Sequence, residues 1–444
     1  MNAKLSKMDI IALVIGSVIG WGAFYLPGQK FLVQSGVINT AIGFLIGWVL
    51  IYFIQVAYHV MMDNHKEKGG EFSYIYEHLG KLYGFIVGWS LTFCYLTLIP
   101  LNATAVALVI RSLFPGFLYG QLYSVAGYTV YASDLVISTG VILFFYFINK
   151  KGLSLSMTLQ KLLIMMLVLF VFIITIALYI KADTQQFRTF YLEQYQFSFK
   201  EILQVLAIIP FLFVGFDIVP QVLTDIGFPT KFATRMTVLA TGFGVLIYNL
   251  LNLMTALAYS PHQVQQLEWA SGQAVLDYLG ITGFVGLAVA LTVAIVGGVN
   301  GFMIGSSRIL ASLGSYKLLP ENFKTENNSG VPEKSLQFVT FISILMPLLG
   351  RMVILYIVDL SSLMAALTYV YVSFVSSRLA KTPFERWCSN IALVIGILFI
   401  LLLIVPGSPS QLSVASFVIL GIWTILGFLY FTFIKNETIS TKEK

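Results

Sequence analysis

Apolar positions along this chain gather into long unbroken runs. Twelve can be traced, at about 8–27, 39–62, 83–113, 132–149, 155–180, 202–226, 234–259, 281–312, 336–356, 358–378, 388–406 and 412–434. Each approaches or exceeds the ~20 residues that carry a helix across a ~30 Å hydrocarbon core. Strand-like alternation is missing, which argues against a β-barrel. The pattern predicts an all-α integral membrane protein with twelve transmembrane helices. The boundary between the ninth and tenth runs rests on Asp359 and its neighbours alone.

Two runs are interrupted. The first reads Gly16-Ser17-Val18-Ile19-Gly20-Trp21-Gly22-Ala23-Phe24, with three glycines in seven residues. Each glycine costs a helix interior about 1 kcal/mol relative to alanine. The stretch from Met8 to Ile19 covers roughly 18 Å of helix, which puts the weak point near the bilayer midplane. Unwound backbone is tolerated at that depth only when buried in protein or lining a cavity. The sixth run carries Pro210, Gly215, Asp217 and Pro220 within eleven residues. Its weak point, Gly215, also falls near mid-membrane. Two interrupted helices, five spans apart and opposite in direction, are what an inverted five-helix repeat predicts. Close helix packing is the other use for Gly16-x-x-x-Gly20.

Composition agrees with lipid as the main solvent. The 444 residues are 58% hydrophobic and 10% charged, against about a quarter charged in ordinary soluble domains. The formal charge of +6 therefore reads as membrane topology and not as nucleic-acid binding. With the N-terminus inside, the inner segments hold 20 lysines and arginines and the outer segments 6. Lys66, Lys68, Lys442 and Lys444 are among the inner set. Both termini are then cytoplasmic, in a multi-pass protein of the cell membrane. The first run is too long for a signal-peptide core and is expected to stay as a helix. Cys94 and Cys388 suggest no disulfide framework. His59, His65, His78 and His262 show no metal-ligand spacing, and no phosphate-binding loop motif occurs, so neither a metal, a cofactor nor ATP-driven transport by this chain is expected. An enzyme would need a nucleophile and base, or metal ligands, converging at one depth. None is evident.

Several segments, in order, resemble the amino acid–polyamine–organocation (APC) permease superfamily. The first helix is similar to its G-S-x-I-G-x-G-x-F signature. Gly69-Gly70-Glu71-Phe72-Ser73-Tyr74 resembles the G-G-x-Y-x-Y after helix two. Gly215-Phe216-Asp217 resembles its helix-six G-F-D, Ser307-Arg308-Ile309-Leu310 with Leu318-Leu319-Pro320 its S-R-x-L … G-L-L-P stretch, and Val358-Asp359-Leu360-Ser361-Ser362 the start of its tenth helix. The resemblance implies a LeuT-like fold in one transmembrane domain over 1–444. Repeats at about 8–180 and 202–378 would be inverted, with peripheral helices at about 388–434. It also implies secondary transport of an amino acid or related amine by alternating access.

The breaks suit such a solute. Past the first, the amides of Gly22, Ala23 and Phe24 open a new half-helix whose N-terminus favours a carboxylate. Before the second, the carbonyls of Phe213 and Val214 favour an ammonium. The candidate substrate-binding residues are accordingly Ile19, Gly20, Trp21, Gly22 and Ala23 on the first helix and Val214, Gly215, Phe216 and Asp217 on the sixth. Asp217 reads as an amine ligand, a proton-coupling group or a helix cap. The resemblance adds Phe211 as an aromatic lid, and Asn102 and Phe302 as pocket residues. Packing in the core or against lipid is the other reading of both phenylalanines, and helix–helix bonding that of Asn102.

Two positions depart from the family. Trp21 stands where a small residue is usual, so it should shrink the pocket or form a wall. Leu167 stands where many proton-coupled members carry lysine, and nearby Lys161 should snorkel to the interface. Proton coupling, sodium coupling and exchange all stay open, with Thr292 as one hydroxyl in a plausible region. Glu71 reads as a loop residue supporting the turn after Gly69-Gly70. A polyamine or organic-cation exchanger is the rival carrier, and it would call for more buried acids than Asp217.

Overall fold

The computed structural model describes residues 4–65, 69–114, 116, 118–267, 269–408 and 410–440. Lys66, Lys68, Lys442 and Lys444, which count toward the charge asymmetry, lie outside the described residues. The chain is a bundle of helices. Nine of those described are long and apolar enough to cross a membrane, ten if one bent pair counts as a single span. This is fewer than the twelve apolar runs, because the first and ninth runs are cut into pieces too short to qualify.

The first run forms α1 (Lys7–Val18) and α2 (Trp21–Leu26). Ser6 and Asp9 cap the start of α1 reciprocally, which satisfies donors that a helix N-terminus otherwise leaves open. Next come α3 (Ile38–Asn64), α4 (Gly70–Leu79), α5 (Lys81–Leu113), α6 (Ala132–Lys150) and α7 (Leu153–Lys181). The sixth run splits into α8 (Phe199–Leu206), the single turn α9 (Ile209–Leu212) and a 3₁₀ segment, Phe216–Asp225. Then follow α10 (Thr230–Ala258), α11 (Ala270–Ser315), α12 (Glu333–Leu345), α13 (Arg351–Leu379), α14 (Pro383–Ile404) and α15 (Val414–Ser440).

Two sequence expectations need correction. Asp359 does not separate two helices; it lies inside α13. The break comes earlier, at Met346–Gly350, where Pro347 starts a 3₁₀ turn and Gly350 takes φ +78°. Glu71 is not a loop residue but is wholly buried in the first turn of α4. His65 and His78 come together as a pair where α4 folds back, their Nε2 atoms 2.7 Å apart, but no group of three or more possible metal ligands forms among the described residues. The apolar runs gave no hint of an antiparallel hairpin, Gln121–Val125 with Tyr128–Tyr131, between α5 and α6. Ala126 and Gly127, both at positive φ, supply the turn that fits its twist.

A buried amide network fixes the helices behind the first break. Gln160 of α7 donates weakly to the carbonyls of Ala12 and Gly297, at 3.4 and 3.3 Å. Its own oxygen accepts from Asn300 of α11 at 2.9 Å. Asn300 Oδ1 accepts in turn from Asn149 and Ser156. Four helices, α1, α6, α7 and α11, are joined by polar groups in an apolar interior. The next residue after Gln160, Lys161, reaches Asp9 at 2.8 Å.

Candidate functional site

The first break follows from its glycines. α1 stops at Val18. Ile19 and Gly20 are extended, at φ −94° and −127°, and the helix restarts at Trp21. The carbonyl of Val18, freed by the break, accepts the hydroxyl of Tyr248 at 3.2 Å. The second break has two causes. Pro210 has no N–H to return to Leu206, so the chain turns at Ala207–Ile208 with a bend of 41°, as proline in a helix interior requires. Gly215 then takes φ +126°. Neither backbone N–H nor side chain among the described residues donates to the Val214 carbonyl.

The two breaks touch. A Cβ added to Gly215 would lie 2.5 Å from Cβ of Ser17 and 2.9 Å from its carbonyl carbon. The same serine faces Gly301 on α11. Between them lies a cavity of about 40 Å³. Its wall takes Gly20, Trp21 and Gly22 from one break, Phe211 and Val214 from the other, and Asn102 and Phe302 from α5 and α11. Asn102 donates to Leu98 O of its own helix. It is wedged between Gly20 and Gly298, whose added Cβ atoms would each lie 3.1 Å from it.

Five predicted residues do not line the cavity. Ile19 and Ala23 are buried in the core beside it. Gly215 supports it by letting the sixth segment meet Ser17. The ring of Phe216 packs on Tyr58 and Tyr369. Asp217 is wholly buried, and its Oδ1 accepts the Gly215 N–H at 2.8 Å, back across the start of the 3₁₀ segment. Six lining residues were not anticipated: Ser17, Val18, Leu98, Leu101, Leu212 and Tyr248. Leu98 and Leu101 share a helical face with Asn102 and were within reach of its periodicity. Nothing marks Tyr248 in the sequence.

A second, larger cavity of about 480 Å³ adjoins the first on the side of Lys30, Asp359 and Gln411. Trp21, Leu101 and Phe211 line both and so form the partition. Trp21 stacks on Tyr25, with centroids 4.8 Å apart. The Arg351 guanidinium also lies over this ring, 4.7 Å from its centroid. Arg351 is only 4% exposed. It donates to Leu101 O and Thr104 Oγ1, its Nη2 has no partner, and no carboxylate pairs with it among the described residues. Leu167 is buried in the core. Thr292 Oγ1 is bonded to Ala288 O within its own helix.

The chain is thus a predominantly α-helical, multi-pass membrane protein with a small cavity between two helix interruptions. A family model described as amino acid permease matches residues 5–433, and the chain belongs to that family. It is 22% identical to the branched-chain amino acid permease BcaP of Bacillus subtilis, over 99% of this chain and 94% of the relative. It is 22% identical to the histidine permease HisP of Lactococcus lactis, covering 84% and 79%. It is 21% identical to the lysine-specific permease LysP of Escherichia coli, covering 77% and 70%.

Proposed function

We propose that the chain is a secondary transporter that moves a small zwitterionic amino acid across the cell membrane by alternating access, with the substrate held between the breaks at Gly20 and Gly215. The frame of this reading is twelve crossings in a LeuT-like arrangement. Repeats at about 8–180 and 202–378 are inverted, helices near 388–434 are peripheral, and both termini are cytoplasmic. One observation supports it above the rest: a single cavity takes its wall from residues flanking both interruptions. The restarted helix after Gly20 offers amides to a carboxylate, and the Val214 carbonyl offers an acceptor to an ammonium. In this reading Ile19, Ala23, Gly215 and Phe216 shape the site, while Gly20, Trp21, Gly22, Asn102, Phe211, Val214 and Phe302 face the solute. The 480 Å³ cavity is its outer approach, and Trp21 with Phe211 is the gate between.

The observed cavity is only about three times the ~10–15 Å³ that one water occupies on the same measure. Trp21 and Phe211 must therefore move for most side chains to enter. A polyamine or organic cation is disfavoured by Arg351. An unpaired guanidinium behind Trp21 repels a second positive charge across a medium that screens poorly, and Asp217 does not line the cavity to offset it.

The test is uptake by the purified protein in liposomes with a panel of labelled neutral, acidic and basic amino acids and putrescine, under imposed proton and sodium gradients in turn. Saturable uptake of a neutral amino acid, competed poorly by putrescine, is the expected result. Uptake of putrescine in preference to every amino acid would overturn it.

A further inference from the structure

Glu71 has no part in the site above, yet among the described acids only Glu71 and Asp217 are 0% exposed. Gly69 and Gly70, at φ +123° and +51°, turn the chain so that α4 drives this side chain against the sixth segment. A Cβ on Gly70 would lie 2.5 Å from the amide nitrogen of Gln221. Glu71 is 0% exposed, and its Oε2 accepts that amide at 2.5 Å. Gln221 sits four residues beyond Asp217, which is also 0% exposed. Two carboxyl groups are thus sealed into one apolar layer.

The layer leaves donors and acceptors unmatched. Glu71 Oε1, Asp217 Oδ2 and Gln221 Oε1 are all buried without a hydrogen-bond partner, as are the hydroxyls of Tyr58, Tyr74 and Tyr369. Gln221 of the sixth segment bonds Glu71 directly, and the titratable groups within electrostatic reach of it are Tyr58 from α3, Cys94 and Tyr95 from α5, Asp217 from the sixth segment, Tyr369 from α13 and its own neighbour Tyr74. The nearest cation on α11, Arg308, is committed to Asp225 at 2.6 Å and to Gln221 O at 3.4 Å. An ionised carboxylate with no cationic partner costs several kcal/mol in a dry interior, and two of them together cost more. Burial, then the neighbouring Asp217, push the Glu71 carboxyl well above the usual carboxylate range.

We infer that Glu71 carries the coupling proton of transport. This rests on the transporter reading. Glu71 holds the proton while its layer is sealed. When α4 and the sixth segment separate at the Glu71–Gln221 bond, water reaches the carboxyl, the O–H bond breaks, and the proton leaves to solvent on the side opposite the Trp21 chamber.

Two measurements on the full-length protein in lipid test it. The first is the infrared band of a protonated carboxyl in the purified protein, compared with Glu71→Gln. The second is uptake of the best substrate from the panel, with and without a gradient of one pH unit, beside gradient-free counterflow. One proton per substrate makes such a gradient worth about tenfold in accumulation. The expected result is that Glu71→Gln loses the infrared band and the pH-driven accumulation but keeps counterflow. A structural role alone would lower counterflow as well. Accumulation by Glu71→Gln that still follows the pH gradient would overturn the proposal, as would wild-type accumulation driven by sodium and not by protons. A Glu71-dependent band in a protein that transports no amino acid would instead count against the transporter reading and leave the buried proton standing.

Discussion

At residue 215 the backbone takes φ +126°, and a methyl group there would overlap Ser17. Both penalties act on any substitution: strain in the dihedral and overpacking worth about 1–3 kcal/mol. Gly215→Val is therefore expected to lower uptake by more than about tenfold, since 1.4 kcal/mol suffices for that factor. Vesicle uptake normalised to membrane expression checks it, and unimpaired uptake would move the site elsewhere. Trp21 carries the opposite prediction. It partitions two cavities, so Trp21→Ser joins them and should let bulkier amino acids compete. The variant also loses the stack with Arg351, worth about 0.5–2 kcal/mol, so its melting temperature should fall. A selectivity profile identical to wild type would mean that Trp21 does not limit the substrate. The glycines and Trp21 were legible in the sequence because breaks and bulk are local properties. The guanidinium behind Trp21 was not, since its partners Leu101 and Thr104 lie about 250 residues away.

At the scale of elements, the chain announces where helices are apolar better than where they stop. The interruption at Gly16–Gly22 showed because glycines replace helix formers. The break before α13 did not, because Met346–Gly350 is as apolar as its flanks. Pro347 and Gly350 were the signal there, and Asp359 drew attention away because an acid within an apolar run looks like a boundary. Glu71 was misread for a related reason. A glycine pair suggests a loop, and the Gln221 that receives Glu71 lies 150 residues on. The polar links between helices are equally silent in sequence, yet they govern rigidity. Asn300 joins Gln160, Asn149 and Ser156. Asn300→Leu removes one partner from each, and a buried group left unsatisfied costs about 1–3 kcal/mol. Thermal unfolding in detergent should show a clear loss of stability. Thr158→Ala, which removes an exposed hydroxyl bonded within its own helix, should stay within about 0.5 kcal/mol of wild type. Equal effects of the two would mean that the network holds nothing together.

For the whole molecule, orientation follows cationic segments on one side of the membrane, and under the proposed topology the bias of 20 to 6 is expected to put the hairpin outside and the segment after α11 inside. The fold makes this easy to check. The two native cysteines, Cys94 and Cys388, are buried, so background labelling is low. Tyr119, beside the hairpin, is 82% exposed, and the Lys317 side chain is 80% exposed. A membrane-impermeant thiol reagent on intact cells is expected to label Tyr119→Cys, and to label Lys317→Cys only after the cells are opened. The reverse pattern would invert the protein and place the 480 Å³ chamber on the cytoplasmic face, so that Glu71 released its proton outward. Labelling of both from one side would be more damaging. Between Tyr119 and Lys317 the twelve-crossing frame needs five passages, the fourth to the eighth, and an even number there would break the frame within which the first and sixth helices run in opposite directions.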